Sequence, residues 1–213
     1  MMNPKTDAGT EYNMPKKRKT LPDNFEALVK SGNIEELKKI YEKCEINAYK
    51  KYDKTTAMFI DNVPDELVKW LVEQGADIEF RDNYGNTALH RQAAYGGNAK
   101  LLVELGADIS ARNSSNETPL HEAAWSFQAQ TVCELIDMGA DVNATGGYEW
   151  NPVTPLESVL QRCLNYDIPK TLETEKVFID KKTPVTDKMR TFVTKIGEQF
   201  EFSKDSFNEE YLQ

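Results

Sequence analysis

The chain has 213 residues, 35 acidic and 26 basic, giving a formal net charge of −9, and 39% of its residues are hydrophobic. No apolar run approaches the ~18 residues a membrane-spanning helix needs, and no basic n-region with an apolar h-region opens the chain, so neither a membrane span nor a secretory signal is expected. Cys44, Cys133 and Cys163 are odd in number and form no CxxC pair. In a helical protein they read as small buried hydrophobes, which suits a reducing, cytoplasmic location.

Residues 1–22 are polar and aperiodic, so a disordered leader is expected there. Within it, Pro15-Lys-Lys-Arg-Lys19 fits either a nuclear-import or phosphate-binding motif or a plain solvated basic stretch. Residues 23–48 read as an N-terminal capping unit. Phe25, Leu28 and Val29 mark one helix, Ser31-Gly32-Asn33 a tight turn, and Ile34, Leu37, Ile40 and Tyr41 a second helix.

From there the chain repeats itself. Gly-Ala-Asp stands at Gly75, Gly106 and Gly139, at intervals of 31 and 33 residues. A turn-and-helix start precedes each: Thr56-Ala-Met-Phe59, then Thr87-Ala-Leu-His90, then Thr118-Pro-Leu-His121. Thr118 is a natural N-cap, and Pro119 suits the first helical position, where its missing N–H costs nothing. Pro64-Asp-Glu66 opens a second helix with Leu67, Trp70 and Leu71 on its buried face. The interval from Phe59 to Gly75 and from His90 to Gly106 is 16 residues, against 18 from His121 to Gly139. Repeats two and three are therefore trimmed in a helix or a turn. A fifth unit starts at Thr154-Pro-Leu156, after a lengthened connection carrying Tyr148 and Trp150. Leu156, Val159, Leu160 and Cys163 continue a helix, and a further one spans about 166–180 with Leu172, Val177 and Phe178. Thr183-Pro184 reads as a fresh N-cap and N1. It leads to an amphipathic stripe of Met189, Phe192, Val193, Ile196 and Phe200 that closes the open end of the stack. Phe207, Tyr211 and Leu212 follow near the end.

A Thr-Pro-Leu-His turn opening helix pairs at a period near 33 resembles the ankyrin-repeat family. Within it, the chain is similar to small cytosolic bacterial ankyrin proteins. The resemblance implies an all-α ankyrin solenoid of about five stacked helix-turn-helix repeats with N- and C-terminal capping helices. It divides the chain into a leader (1–22), an N-terminal cap (23–48), repeats that degenerate towards the end (49–181), and a capping helix with tail (182–213). The sequence departs from the family at Phe59, where histidine is lost, and at Gln92, where an alanine normally stands.

The chain has two histidines, His90 and His121. In proteins it resembles, this histidine bonds the threonine (here Thr87 and Thr118) and nearby backbone, tying adjacent repeats together. Neither has carboxylates or cysteines at ligand spacing, so no metal and no cofactor is expected. No nucleophile elbow, Walker loop or HExxH motif is present, and a non-enzymatic scaffold is the favoured reading. The resemblance implies that a protein partner lies along the concave face. By motif position that face offers Asn83, Tyr84, Asn86 and Tyr95 from the third repeat, and Ser114, Ser115, Glu117, Trp125 and Ser126 from the fourth. Tyr148 and Trp150 extend it on the longer finger, unless Trp150 folds back over the helix below.

Residues 56–145 carry 14 acids and 5 bases, so the whole charge imbalance sits in the central repeats. That disfavours nucleic acid and favours a basic protein partner, although acidic turns and helix starts alone supply much of it. A monomer is expected. An immunity or antitoxin protein covering a basic active site is one form of such a binder. A regulatory or host-directed effector and, more remotely, a two-carboxylate hydrolase are the alternatives.

Overall fold

The computed structural model describes residues 16–162, 168–195 and 198. Its helices come in antiparallel pairs. The first pair is α1 (Phe25–Ser31) and α2 (Ile34–Lys43). A 3-10 turn at Ala57–Phe59 is paired with α3 (Asp65–Glu73). Then come α4 (Ala88–Tyr95) with α5 (Ala99–Glu104), α6 (Pro119–Trp125) with α7 (Ala129–Asp137), and α8 (Pro155–Arg162) with α9 (Ile168–Asp180). The 3-10 turn, α4, α6 and α8 stack as one column, and α5, α7 and α9 as a second, with α2 against α3 at the start. This is an all-α solenoid, with one small parallel sheet at its N-terminal end.

Side-chain size explains the close stacking. Ala88, Ala93, Ala123 and Ala124 on the first helices are buried and let the column close up. Leu67, Leu71, Leu89, Leu102, Leu120 and Leu135 fill the space between columns and are fully buried. Each contributes about 2 kcal/mol of hydrophobic stabilisation. The second helices end on Gly75, Gly106 and Gly139, with φ of +85°, +99° and +97°, a conformation a side chain strains. The aspartates that follow cap their own turns: Asp77, Asp108 and Asp141 accept from the N–H groups of Glu79, Ser110 and Asn143.

In three regions the structure corrects or sharpens the sequence reading. The leader does not run featureless to residue 22. Arg18–Thr20 form β1, which pairs in parallel with β2 (Cys44–Tyr49). Leu21 is buried, and Lys17 Nζ donates to the Tyr41 carbonyl at 2.7 Å. Lys16 and Lys17 thus lead into an ordered strand and Arg18 and Lys19 belong to it, whereas Pro15 lies outside the described residues. In the second region the trimming expected of repeats two and three is present and falls in helices. In the second repeat it is the first helix, reduced to one 3-10 turn; in the third it is α5, six residues against nine in α7.

Gln92 answers the first of these losses. A truncated helix leaves carbonyls unpaired, and buried Gln92 donates Nε2 to those of Met58 (2.9 Å) and Ile60 (3.2 Å). An added Cβ on Gly97 would sit 1.7 Å from Gln92 Oε1, so the glutamine in turn requires the glycine. The two departures from the repeat pattern are one device.

The third region lies at the C-terminal end. The closing segment is helical over 187–195, and its N-cap is Thr186 rather than Thr183: Met189 N donates to Thr186 Oγ1 at 3.1 Å. Met189 and Phe178 are buried, but Leu172 and Val193 are exposed. Cys163, Ile196, Phe200, Phe207, Tyr211 and Leu212 lie outside the described residues.

Candidate protein-binding face

Between each second helix and the next first helix, a finger of chain projects from the stack. Asp82 Oδ1 accepts from the N–H groups of Tyr84 and Asn86, and Asn113 Oδ1 from those of Ser115 and Glu117. Neighbouring fingers join along a backbone ladder. Asn83 N donates to Asp53 O, Ser114 N to Tyr84 O, and Gly147 N to Ser115 O, at 3.0–3.2 Å. Two arginines that the sequence reading missed lock the tips. Arg81 Nη1 donates to the carbonyls of Gly85 and Arg112, and Arg112 Nη1 to those of Asn116 and Thr145. Their 31-residue spacing was the available signal.

The histidines fix each first helix to the finger that follows. Thr87 N donates to His90 Nδ1 at 3.2 Å, with Thr87 Oγ1 at 2.9 Å. A backbone N–H only donates, so Nδ1 is the unprotonated nitrogen and the proton sits on Nε2. Nε2 then donates to Glu117 O at 3.0 Å. His121 repeats the geometry with Thr118 and the Val153 carbonyl. Burial holds both rings down at about 4, well below the usual imidazole range, and so neutral at pH 7.

The exposed aromatics fall on one face. Among the described residues these are Tyr52, Tyr84, Tyr95, Trp125, Tyr148 and Trp150, and every one belongs to a finger or a first helix. Tyr52 was missed, because the weak first repeat hides that it occupies a finger; its carbonyl accepts from Asn83 Nδ2. Tyr148 and Trp150 stack on each other at 5.3 Å and 10°, and Trp150 remains 80% exposed instead of covering the helix below. A Gly146–Val153 bridge supports that finger. An added Cβ on Gly146 would meet His121 Nε2 at 2.8 Å, so the finger passes directly over the ring.

Between α4 and α6 the face sinks into a groove of about 530 Å³, lined among others by Asn86, Arg91, Tyr95, Glu122, Trp125, Ser126 and Arg162. The Arg91 guanidinium lies 4.1 Å from the Tyr95 ring centre, and that of Arg162 lies 5.0 Å from Trp125. Asn86, Tyr95, Trp125 and Ser126 therefore share the groove, whereas Asn83, Tyr84, Ser114 and Ser115 sit on the finger tips. Glu117 is half-buried, and burial raises its carboxyl against the bond from Asn113. Glu122 is pushed up to about 7 by burial first, then by the charge of Glu117, with the Asn113 amide opposing.

Most of the exposed acids lie elsewhere, the exceptions being Asp61, beside Arg91, and Glu149, on the finger between Tyr148 and Trp150. Asp65, Glu66, Glu73, Glu104 and Asp137 are on or at the ends of second helices, and Asp77, Asp108 and Asp141 in the loops after them. On the groove face, Asp82, Glu117 and Glu122 are part-buried and hydrogen-bonded. The acidic excess thus belongs to the second column more than to the groove. Among the described residues no group of three or more His, Cys, Asp or Glu side chains is placed to hold a metal ion. None of the described helices is long and apolar enough to cross a membrane.

Paired helices stacked in two columns, with laddered fingers and a histidine staple at each step, define a repeat solenoid. Residues 57–146 match the family of ankyrin repeats (three copies), and the helix pairs of that span have the arrangement of such repeats. Among curated proteins, none matches the chain.

Proposed function

We propose that the chain is a non-enzymatic protein-binding scaffold whose partner lies along the fingers and first helices. Ankyrin repeats generally serve protein–protein interaction, and the observation that supports this use here is the confinement of the exposed aromatics to one face. An aromatic ring left in water gains nothing for the fold, whereas at an interface it supplies large rigid contact area. Tyr95 and Trp125 form the centre of this footprint, with Tyr84 and the Tyr148–Trp150 stack along the fingers. The acidic second column sets the long-range field, which favours approach of a basic protein. Covering a basic active site, as an immunity protein does, is one form of this role.

The test is retention of proteins from lysate by the wild type and by a Trp125→Ala/Trp150→Ala variant of equal helicity. The expected outcome is a specific partner whose affinity drops about 30-fold or more in the variant, the scale of a hot-spot loss. Equal retention by both would remove the aromatic face from the binding site.

A further inference from the structure

The bases of the central repeats are not equivalent. Arg81 and Arg112 are consumed by finger carbonyls, and Lys69 and Lys100 sit on the second column. Arg91 alone among them lines the groove, and Arg162 joins it from the end of α8. Each guanidinium lies over an aromatic ring, Arg91 on Tyr95 and Arg162 between Trp125 and Phe127. Arg162 is further fixed by donating Nη1 to the Trp125 carbonyl at 2.5 Å. Stacking holds the planar fork in place, so less freedom is lost when its edge meets an acceptor.

Their charges are poorly used within the fold. Arg91 approaches Asp61 only through Nε at 3.8 Å, with both side chains well exposed, a pairing of little worth. Among the described residues no carboxylate pairs with Arg162. The groove's own acid, Glu122, is tied to Asn113 and held towards its neutral form. A chain of net charge −9 therefore presents a locally cationic groove at the centre of its aromatic face.

Resting on the reading that this face binds a protein, we infer that the groove takes a carboxylate side chain of the partner, gripped by the Arg91 and Arg162 guanidinium edges beside Tyr95 and Trp125. A carboxylate matches the fork geometry with one negative charge. A phosphate dianion would double the repulsion from Asp82 and Glu117 behind the groove. The partner's overall charge and this anchor act at different ranges. The net field steers approach beyond a Debye length of about 8 Å only weakly, while the anchor acts in contact.

The test titrates the full ¹⁵N-labelled chain with a short peptide alternating Glu and Phe, its Gln and Lys counterparts, and inorganic phosphate. The signals read are the Trp125 indole N–H and the Arg91 and Arg162 Nε–H. The Glu peptide is expected to shift all three and to bind about tenfold tighter than the Gln peptide, the worth of a charge-assisted hydrogen-bond pair. Arg91→Gln and Arg162→Gln should each erase that preference while keeping a dispersed amide spectrum, and Lys100→Gln on the other column should not. Equal binding of the Gln or Lys peptide, with Trp125 still shifted, overturns the carboxylate anchor yet leaves the protein-binding reading standing. Phosphate producing the same shifts at the same concentration overturns it in favour of a simple anion site. Concentration-dependent shifts without peptide, lost in Arg162→Gln, overturn it in favour of a second copy of the chain.

Discussion

Thr56 shows what the histidine contributes to this fold. It occupies the N-cap position that Thr87 and Thr118 hold, with the same extended backbone. Three residues on, however, stands Phe59, which offers no ring nitrogen, and the buried Thr56 hydroxyl has no hydrogen-bond partner among the described residues. A buried hydroxyl left unpaired costs about 1–3 kcal/mol, whereas a satisfied cap contributes about 1 kcal/mol. Opposite outcomes are therefore expected from one substitution at two equivalent sites. Thr56→Val should leave stability unchanged or raise it by up to about 1 kcal/mol, since it removes only an unpaired group of similar volume. Thr118→Val should lower it by about 1–2 kcal/mol, because His121 Nδ1 and the helix start lose a partner. Urea denaturation of the two variants checks both signs. Equal destabilisation would mean that the Thr56 hydroxyl is satisfied after all.

At the scale of elements, the α8–α9 pair has a carboxylate in place of the histidine and redirects the staple. Glu157 stands where His121 stands in the α6–α7 pair, and it closes a capping box with Thr154: Thr154 N donates to Oε2 and Thr154 Oγ1 accepts from Glu157 N. Its side chain is buried, and it also accepts from Thr186 Oγ1 at 2.8 Å and pairs with Lys188. The closing segment over 183–195 is thereby tied to α8. Glu157→Ala should cost about 2–3 kcal/mol, the scale of removing a hydrogen-bonded buried charge, and Glu157→Gln less. Hydrogen exchange checks the placement: amides over 183–195 should lose more protection than those of α4, and uniform loss would count against the tie. The signal was present in Thr154-Pro-Leu-Glu157, which has the form of a capping box, but a search for Thr-Pro-Leu-His passes over it. The same reasoning separates what was legible elsewhere. Caps, turn glycines and apolar period are local, so the repeat register could be read from spacing, and the surface positions of Tyr95 and Trp125 from the repeat pattern the chain resembles. Gln92, Arg81 and Arg91 act on groups about thirty residues away in sequence, and nothing local names those partners. The stacking of Trp150 on Tyr148 was undecidable for a related reason: the alternative, covering the helix, buries the same ring.

For the molecule as a whole, the staples make stability a function of pH, with opposing contributions. His90 and His121 titrate near 4 when folded and near 6.5 when unfolded, so between those values the unfolded chain binds more protons. Their contribution is complete above pH 6.5 and is lost as pH falls towards 4, by roughly 3 kcal/mol each at about 1.4 kcal/mol per unit. Glu122 acts the other way. Raised to about 7, it is ionised against its surroundings at pH 8 and relieved by protonation on acidification, and Glu117 and Glu175, raised by burial, act in the same sense. Glu122→Gln separates the two. It keeps an acceptor for Asn113 and removes the buried charge, so it should be more stable than the wild type at pH 8, by about 1–2 kcal/mol after discounting for partial exposure. That advantage should shrink steadily below pH 7 and be gone once pH falls below the ordinary glutamate value of 4.5, where the carboxyl is protonated in both folded and unfolded chains. Melting temperature against pH should then fall more steeply below 6.5 for the variant than for the wild type, because the largest contribution opposing the histidines has been removed. Parallel curves would show that Glu122 is ionised and solvated at neutral pH. The groove floor would then carry a full negative charge, opposing the carboxylate it is inferred to hold.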